Sequence, residues 1–513
     1  MVTKIIFSVL LVLNLGLTAF LGWSMFQTHL VPGAVTIIAV AALALLALVL
    51  FLVQRERKGK KKTGLRVAGI VILLFLCLVE GAVGYYVQHY KSGMAKVTDV
   101  RTEVTQMEIY VKDDNPAQTI EYAVESKYRF GTIAGVDEEA VAQTKEELED
   151  KYGRPIAIQS YGTLMDLIKA ISENQVDALL MSSAYLDLIE DLPDFESFGE
   201  SLRVLHTSSV KTDILQESFL ETFPEEIEEK PMKDPDLWTD CFCAYISGID
   251  TYGPVSARSR SDVNILAIVN VKTKTVLLIS TPRDYYVPFN FAPVNGALDK
   301  LTHAGIYGIE GSMRALSDLY GLPIHYYVRV NFTGFIKVID TLGGVDVESD
   351  AAFSVGSTYF QKGMNHLNGR AALRFARDRH HQIDGDRARS RHQMAVIKGV
   401  INELKSSKII LNYVDLMQEM QDCFQTNASL TMVGDLVQLT LDPSLDDWKV
   451  LTYNVDGNGK TDYAYSQGSY AYCMHPNMKT VEYAQSLVEV VLAGGSMTQE
   501  ELLKNAPSPR GDK

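Results

Sequence analysis

Two acids and several arginines near the middle of the chain have types and spacing that could do chemistry. Asp250 and Asp262 are twelve residues apart, and Arg260 and Arg283 belong to the same stretch, residues 247–283. Carboxylates suit a divalent cation, and guanidinium groups bind phosphate oxygens through paired hydrogen bonds. This combination predicts a divalent-cation site beside a phosphate-rich ligand.

A second group of basic residues lies further along, within residues 370–391. It consists of Arg370, Arg374, Arg377, Arg379, Arg387, Arg389 and Arg391. The formal net charge of the chain is −15, so a local concentration of arginine favours an anionic ligand. A solvated basic helix face is the alternative interpretation. We favour a phosphate pocket, because aspartates are interleaved with the arginines, which recur on both sides of Gly385.

Apolar runs next to these polar clusters predict the elements that position them. Residues 263–269 have the pattern of a buried strand, and residues 276–280 that of its hairpin partner. Further along, residues 309–320 and 371–377 predict helices, and residues 324–331 predict another strand. The charged groups then stand at strand ends, where loops can direct them into a cleft. We therefore expect a mixed-sheet α/β domain.

The first ninety residues are of a different chemical kind. Three apolar segments, residues 5–25, 31–53 and 65–87, each have about the 20 residues needed to cross a bilayer. The basic loop at residues 55–62 predicts a cytoplasmic position for that loop and for the amino terminus. Everything after about residue 88 is then extracellular. A cleaved signal peptide is disfavoured, because no small-residue cleavage site follows the first segment.

Between this anchor and the arginine-rich region, the pattern alternates between strand and helix. The predicted strands are residues 107–111, 155–161 and 176–181, and the predicted helices are residues 138–152 and 164–173. Such alternation is typical of an α/β unit with a partly parallel sheet. No charged or nucleophilic constellation stands out within it, so we expect an accessory or oligomerisation role. Residues 217–236 are acidic and contain three prolines, which predicts a linker.

Composition excludes several other classes of protein. The acidic balance argues against general nucleic-acid binding, which shows as a basic surface. Five cysteines are too few for a fold built on disulfides, and no Cys-x-x-Cys zinc spacing is present. The extracellular setting allows a disulfide between Cys423 and Cys473, whereas Cys241 and Cys243 are expected to be buried thiols.

A series of short motifs runs through residues 245–401. In order, they are Ser-Gly-Ile-Asp, Arg-Ser-Asp, Pro-Arg-Asp, Lys-Leu-Thr-His-Ala, Tyr-Tyr-Val-Arg-Val-Asn-Phe, Gly-Gly-Val, Gly-Met-x-His-Leu-Asn-Gly, Arg-Phe-Ala-Arg and Gly-Asp-x-x-Arg-x-x-x-Gln. Together they resemble the LytR-CpsA-Psr family. The three-span anchor with an accessory domain ahead further resembles the CpsA capsule branch. One departure is His392, where many relatives carry arginine.

The resemblance implies an enzyme that moves a glycosyl phosphate from a polyprenyl-pyrophosphate-linked glycan to a hydroxyl of peptidoglycan or another wall polymer. It implies Mg²⁺ or Mn²⁺ held by Asp250 and Asp262. The residues that correspond to the family's pyrophosphate-binding set are Arg260, Arg283, Lys300, Arg377, Arg379, Arg389 and Gln393. The same five arginines and Asp386 form the implied catalytic set. Asp386 is either a base for the acceptor hydroxyl or an orienting partner of Arg389.

The predicted organisation is therefore a membrane anchor followed by two extracellular domains. We expect a three-helix anchor at residues 1–88, an accessory α/β domain at 104–215, a linker at 216–238, the phosphotransferase domain at 239–496 and a polar tail at 497–513. One alternative is a membrane-bound regulator or assembly scaffold of envelope or capsule synthesis, because the family is often labelled as transcriptional regulators. The cytoplasmic loop is too short for a DNA-binding domain. Another alternative is a polyprenyl-pyrophosphate hydrolase, with water as the acceptor.

Overall fold

The structure, a computed structural model, divides into two compact units. The described residues are 2–28, 33–54, 63–98, 100–214, 241–249, 255–378, 386–404, 423–441 and 447–508. The first unit comprises Met1–Asp99, Leu404–Gln421 and Ala428–Asp447, and the second comprises Val100–Glu403, Asp422–Asn427 and Trp448–Lys513.

Three long apolar helices dominate the first unit, which also contains a helix at Leu430–Leu441. They are α1 (Val2–Thr28), α2 (Gly33–Gln54) and α3 (Thr63–Met94). Each is long and apolar enough to cross a membrane. Large apolar side chains project outward from them, such as Val12 at 70% exposure and Leu78 at 73%. Such a surface needs hydrocarbon rather than water around it, so the three predicted spans form a membrane anchor.

A polar contact inside the anchor fixes α1 against α3. The carboxylate of Glu80 accepts hydrogen bonds from Asn14 Nδ2 at 2.8 Å and from Thr18 Oγ1 at 2.7 Å. All three side chains are buried. Since the bilayer core has no water to solvate a carboxyl group, its partners must come from a neighbouring helix. The Glu80 carboxyl group therefore lies in the interior of the helix bundle.

The second unit begins with a mixed five-stranded sheet, which we call the accessory sheet. Its elements are β1 (Thr102–Lys112), α4 (Ile120–Glu125), β2 (Arg129–Ile133), α5 (Glu138–Tyr152), β3 (Ala157–Tyr161), α6 (Leu164–Ser172), β4 (Ala178–Ser182), a 3₁₀ turn (Ser183–Tyr185), α7 (Leu186–Ile189), another 3₁₀ turn (Gly199–Ser201) and β5 (Leu202–Asp213). The strand order is β3-β2-β4-β1-β5. Strand β2 is parallel to β3 and β4, whereas β1 is antiparallel to β4 and β5. The predicted partly parallel sheet is confirmed.

The rest of the second unit is built on a larger sheet, which we call the central sheet. The elements are β6 (Cys241–Ile249), β7 (Ser261–Asn270), β8 (Thr275–Thr281), β9 (Tyr286–Pro288), β10 (Leu298–Lys300), a 3₁₀ helix (Leu301–Tyr307), α8 (Ile309–Tyr320), β11 (Tyr326–Asn331), α9 (Phe332–Thr341), β12 (Val345–Ser349), β13 (Phe353–Val355), β14 (Thr358–Phe360), β15 (Gly363–Leu367), α10 (Gly369–Arg377), α11 (Asp386–Leu404), β16 (Phe424–Thr426), β17 (Lys449–Asn454), β18 (Gly457–Ala464), β19 (Ser469–Pro476), α12 (Met478–Leu492) and α13 (Gln499–Asn505).

The central sheet has six strands in the order β16-β11-β6-β7-β8-β17. The predicted hairpin is the antiparallel pair β7–β8 at its centre. Strand β11 runs parallel to β6, and β17 runs parallel to β8. Apolar side chains of the strands, such as Leu266 and Ile268, pack in one core with Leu316 of α8 and Val488 of α12. The expected mixed-sheet α/β architecture is therefore present.

The accessory sheet is joined to the central sheet by a buried network of charges. Glu103 on β1 accepts hydrogen bonds from Arg329 Nη2 on β11 and from the backbone nitrogen of Ile309. Arg258 lies 3.5 Å from Glu103 and bonds Asp137 at 2.9 Å. Ile306 also packs in the core of the accessory part. The two parts therefore share one interior, while the predicted linker 216–238 lies outside the described residues.

Two details differ from the expectations. Cys423 and Cys473 are free thiols, both buried, so the disulfide allowed by their surroundings is absent. They lie in different parts of the sheet region. Cys423 precedes β16 and is next to Gly334 of α9, whereas Cys473 is opposite Lys460 in the β18–β19 hairpin. The predicted polar tail, residues 497–513, contains the capped helix α13, whose Leu502 is buried in the main core.

Candidate functional site

Asp262, the second residue of β7, is the centre of the site. Its carboxylate is 2.9 Å (Oδ1) and 3.0 Å (Oδ2) from Nη1 of Arg283. Thr302 Oγ1 also donates a hydrogen bond to Oδ1 at 3.2 Å. The Asp262 and Arg283 side chains are only 15% and 16% exposed, so this ion pair is largely shielded from water.

Three arginines act on this one carboxyl group. Burial by itself would raise the pKa of Asp262, but the positive charges of Arg283, Arg389 and Arg260 outweigh it and lower that pKa. The structure thus brings together residues from β7, from the loop after β8 and from α11, which are distant in sequence. Guanidinium groups gathered around one ionised acid suit a phosphate-bearing anion.

The central sheet explains why these residues meet. Arg260 and Asp262 stand where β7 begins, and Arg283 stands just beyond the end of antiparallel β8, so both lie at the same edge. The 3₁₀ helix holds the second loop in place, because the backbone nitrogen of Thr302 donates to the carbonyl of Arg283 at 2.8 Å. The predicted placement of charges at strand ends is confirmed.

Lys300 adds a cation beneath this edge. The residue is buried, at 7% exposure, and its ammonium group has no hydrogen-bond or ion-pair partner among the described residues. The neighbouring Asp299 is fully buried and accepts from His303 Nδ1 at 2.7 Å and from the backbone nitrogen of Ser466 at 2.7 Å. Burial opposes ionisation of Asp299, but His303 and the Ser466 bonds outweigh it and lower the pKa of Asp299. Asp299 therefore fixes the strand on which Lys300 stands.

The arginines of residues 370–391 do not act as one cluster. Arg374 donates to Thr358 at 2.6 Å, Arg387 pairs with Asp456 at 2.7 Å, and Arg391 pairs with Asp350 at 2.7 Å. These three arginines therefore connect parts of the fold and are not assigned to the phosphate pocket. The guanidinium of Arg377 lies 4.4 Å from the ring centre of Phe332, in cation–π contact. Arg389 of this segment is the arginine whose charge acts on Asp262.

His392, the departure from the family pattern, packs among aromatic side chains. Its ring stacks on Phe353, with centroids 5.1 Å apart, and lies 4.1 Å from the ring of Phe375. Its Nδ1 is 3.1 Å from the Phe375 carbonyl, and burial lowers its pKa. A buried imidazole with a lowered pKa is compatible with this aromatic core. His392 therefore packs in the core instead of binding a ligand.

Several predicted site residues cannot be placed in this geometry. Asp250 and Arg379 lie outside the described residues, as does the side chain of Asp386 at the first position of α11. Gln393 lies on α11 one turn beyond Arg389, half-buried and on the same face. Their roles stay predictions.

Two acids of the accessory part reach the site, and the sequence did not reveal them. Asp191 Oδ2 is 3.0 Å from Arg260 Nη1, and Asp187 Oδ2 is 3.8 Å from Arg260 Nη2. Burial raises the pKa of Asp187 against the effect of Arg260, and Glu190 and Asp262 raise it further. Asp187 and Asp191 are four residues apart, about one helical turn. This spacing does not predict that Asp191 pairs with Arg260, which is 69 residues away in the sequence. Thr302 was likewise missed.

Comparisons with known proteins point to one family. A sequence profile described as the LytR_cpsA_psr family matches residues 215–486. A "polyisoprenyl-teichoic acid–peptidoglycan teichoic acid transferase TagU" of Bacillus cereus is 33% identical over 190 residues, which are 37% of this chain and 61% of that protein. The protein of the same name from Enterococcus faecalis is 31% identical over 221 residues, 42% of this chain and 71% of that protein.

Solved structures were also matched. The crystal structure of B. subtilis TagV is 25% identical and covers 51% of this chain and 100% of that chain, with a TM-score of 0.43. The chain spans less than two thirds of the Bacillus cereus relative. The family profile, in contrast, extends over more than half of the 513 residues and includes the strand-edge acid and all the described arginines around it, so this chain belongs to the LytR_cpsA_psr family.

Proposed function

We propose that this protein transfers a glycosyl phosphate from a polyprenyl-pyrophosphate-linked glycan to a hydroxyl of peptidoglycan or another wall polymer. The observation that carries the proposal is the shielded Asp262 carboxylate under the combined charge of Arg260, Arg283 and Arg389. A pyrophosphate is an anion that such a pocket would neutralise. The names of the matched transferases support the same donor and acceptor classes.

In this reaction the acceptor oxygen forms a bond to the phosphorus that bears the glycan, and the bond from that phosphorus to the lipid phosphate breaks. The lipid leaves as polyprenyl phosphate, and the acceptor hydroxyl gives up its proton. Phosphoryl transfer requires mainly positioning and neutralisation of developing charge. Arg260, Arg283 and Arg389 would bind the non-bridging oxygens, and the ammonium of Lys300 would offset the charge of the leaving phosphate.

We further propose a divalent cation, because the carboxylate groups at this site are suitable ligands for one. The Asp262 carboxylate is ionised, and Mg²⁺ commonly binds one or two carboxylates together with substrate phosphates. Asp262 and the predicted ligand Asp250 would hold Mg²⁺ or Mn²⁺, which would supply further neutralisation of the pyrophosphate. Asp386 is the proposed base or the orienting partner of Arg389.

The membrane anchor suits a lipid-borne donor. We propose that the amino terminus is cytoplasmic and the second unit extracellular, because the basic loop at residues 55–62 favours the inside. Donor and acceptor would then meet at the outer surface. Membership of the capsule branch remains a prediction.

The test uses the full chain in detergent with a synthetic polyprenyl-pyrophosphate disaccharide, Mg²⁺ and peptidoglycan fragments. Lipid monophosphate and glycan on the acceptor should appear in equal amounts, and Asp262→Asn should slow transfer by about 100-fold or more. The control is Arg374→Ala, because Arg374 of α10 is bonded to Thr358. The transfer rate of this variant should stay within about twofold of the wild-type rate.

Three results would contradict the proposal. Lipid monophosphate without glycan on the acceptor would indicate hydrolysis. No reaction with any wall acceptor would favour the regulator or scaffold alternative. Full activity of Asp262→Asn would show that this edge of the sheet is not the site.

A further inference from the structure

Arg260 is held by a part of the chain outside the catalytic sheet. Its Nη1 donates to Asp191, which follows α7 of the accessory part, at 3.0 Å. Asp187 on α7 is near Nη2, at 3.8 Å, beyond hydrogen-bond distance. The Arg260 side chain is 17% exposed, whereas the two acids are 43–45% exposed. The arginine is therefore largely shielded from water, whereas the two acids beside it face solvent.

The contact uses only one corner of the guanidinium. The Nε atom of Arg260 is buried and has no hydrogen bond among the described residues, and Nη2 has only the long contact to Asp187. Nε and Nη2 form the edge of the guanidinium that binds phosphate through two parallel hydrogen bonds. A buried donor without a partner costs free energy, so this edge is suited to an arriving ligand.

We propose that Asp191 of the accessory part is a positioning residue, which holds Arg260 with its Nε–Nη2 edge toward the pyrophosphate. The inference rests on the proposed function and adds a role for the accessory part in the same site. An arginine side chain has large rotational freedom, and fixing one corner reduces what the substrate must order on binding. The catalytic domain by itself would lack this contact.

Asp191 could instead compete with phosphate for Arg260, and the geometry disfavours that reading. A competitor would occupy the bidentate edge, but Asp191 bonds Nη1 at the other corner. Phosphate can bind the Nε–Nη2 edge while Asp191 keeps its bond, because arginine has five N–H donors.

The test compares Asp191→Asn with Glu190→Gln in the full chain in detergent. Glu190 is the adjacent, exposed acid, so both variants remove one negative charge from neighbouring positions, but only Asp191→Asn takes the charge out of the bond to Arg260. Binding of geranylgeranyl pyrophosphate with Mg²⁺ is measured by calorimetry, and transfer is measured with the disaccharide donor. We expect Asp191→Asn to weaken binding and raise KM about threefold to fivefold relative to Glu190→Gln.

Other readouts separate positioning from a purely structural role. The turnover number and the thermal midpoint should match those of Glu190→Gln, and Asp191→Glu should restore most of the affinity. In an Arg260→Ala background, Asp191→Asn should cause no further loss. Equal binding by Asp191→Asn and Glu190→Gln would overturn the inference, and tighter binding by Asp191→Asn would show competition instead. If Arg260→Ala itself leaves binding unchanged, the proposed pyrophosphate site is wrong as well.

Discussion

At the scale of single residues, buried charges in this protein are stable where opposite charges face them. Asp262 stays ionised because three arginines outweigh its burial. Glu310, at the start of α8, is the opposite case. Burial and the like charge of Glu103 raise its pKa to about 7, and Arg258 only partly opposes them. Arg258 and Glu103 are themselves paired with Asp137 and Arg329, respectively.

The raised pKa of Glu310 makes stability depend on pH. Between about pH 4.5 and 7 the unfolded chain releases this proton while the folded chain keeps it, so rising pH favours unfolding. Glu310→Gln cannot ionise and should lose this dependence. Relative to the wild type, we expect it to gain on the order of 2 kcal/mol of stability between pH 5 and pH 8.

The measurement is denaturant unfolding of the detergent-solubilised full chain at several pH values. Glu121→Gln, which removes an exposed carboxyl on α4, serves as the control and should follow the wild-type pH profile. Parallel profiles for the wild type and Glu310→Gln would rule out this group as the cause.

At the scale of elements, the site depends on how closely the 3₁₀ helix approaches the start of β7. A Cβ at Gly305 would lie 2.9 Å from the backbone nitrogen of Ser261 and 3.3 Å from the carbonyl carbon of Arg260. Only glycine allows this approach, which sets Arg260 and Asp262 against the 3₁₀ helix that carries Thr302. The two elements therefore position the site as a pair.

Gly305→Ala should push the start of β7 away from the 3₁₀ helix. We expect transfer activity to fall by about 10-fold or more, since small misplacements of binding groups are costly. Stability should fall by about 1–3 kcal/mol through overpacking. Gly162→Ala is the control, because its Cβ would meet Asp166 at an ordinary 3.7 Å. Wild-type transfer rates in Gly305→Ala would show that the close approach is dispensable.

At the scale of the whole molecule, the accessory and catalytic parts of the second unit do not separate cleanly. Arg329 is 1% exposed, and its Nε and Nη1 make no hydrogen bond among the described residues. Its ion pair with Glu103 of β1 therefore satisfies a charge deep inside the catalytic part. Residues 104 and 257 also pair as an isolated bridge between the two parts. The accessory part is integral to the fold of the catalytic part.

Removing the accessory part should consequently unfold the rest. A fragment of residues 239–496 would leave Arg329 buried and without its carboxylate, and we expect it to lack cooperative thermal unfolding. In the full chain, Glu103→Gln should lower stability by about 3 kcal/mol or more. Glu125→Gln, an exposed acid, should change it by less than about 0.5 kcal/mol. A fragment that unfolds cooperatively would show that the two parts are independent.

Local signals in the sequence were sufficient for much of this protein. The apolar length of the first three helices, the alternation of the accessory segment and the hairpin of β7 and β8 depend on nearby residues, and the structure shows each of them. The motifs around Asp262 and Arg283 indicated the family for the same reason. Hydrophobic periodicity and residue type are properties of a short stretch of sequence. They can therefore be recognised without knowledge of the tertiary structure.

Contacts between distant segments were decided only by the tertiary structure. The partition of the arginines is one case: Arg389 reaches Asp262, whereas Arg387 and Arg391 pair with acids elsewhere. The pairing of Arg260 with Asp191 is another, because an exposed acid in the turn after a short helix does not reveal its partner by its sequence position. Which charges meet depends on how the two sheets pack, and that packing is set by the shared core and not by any single stretch.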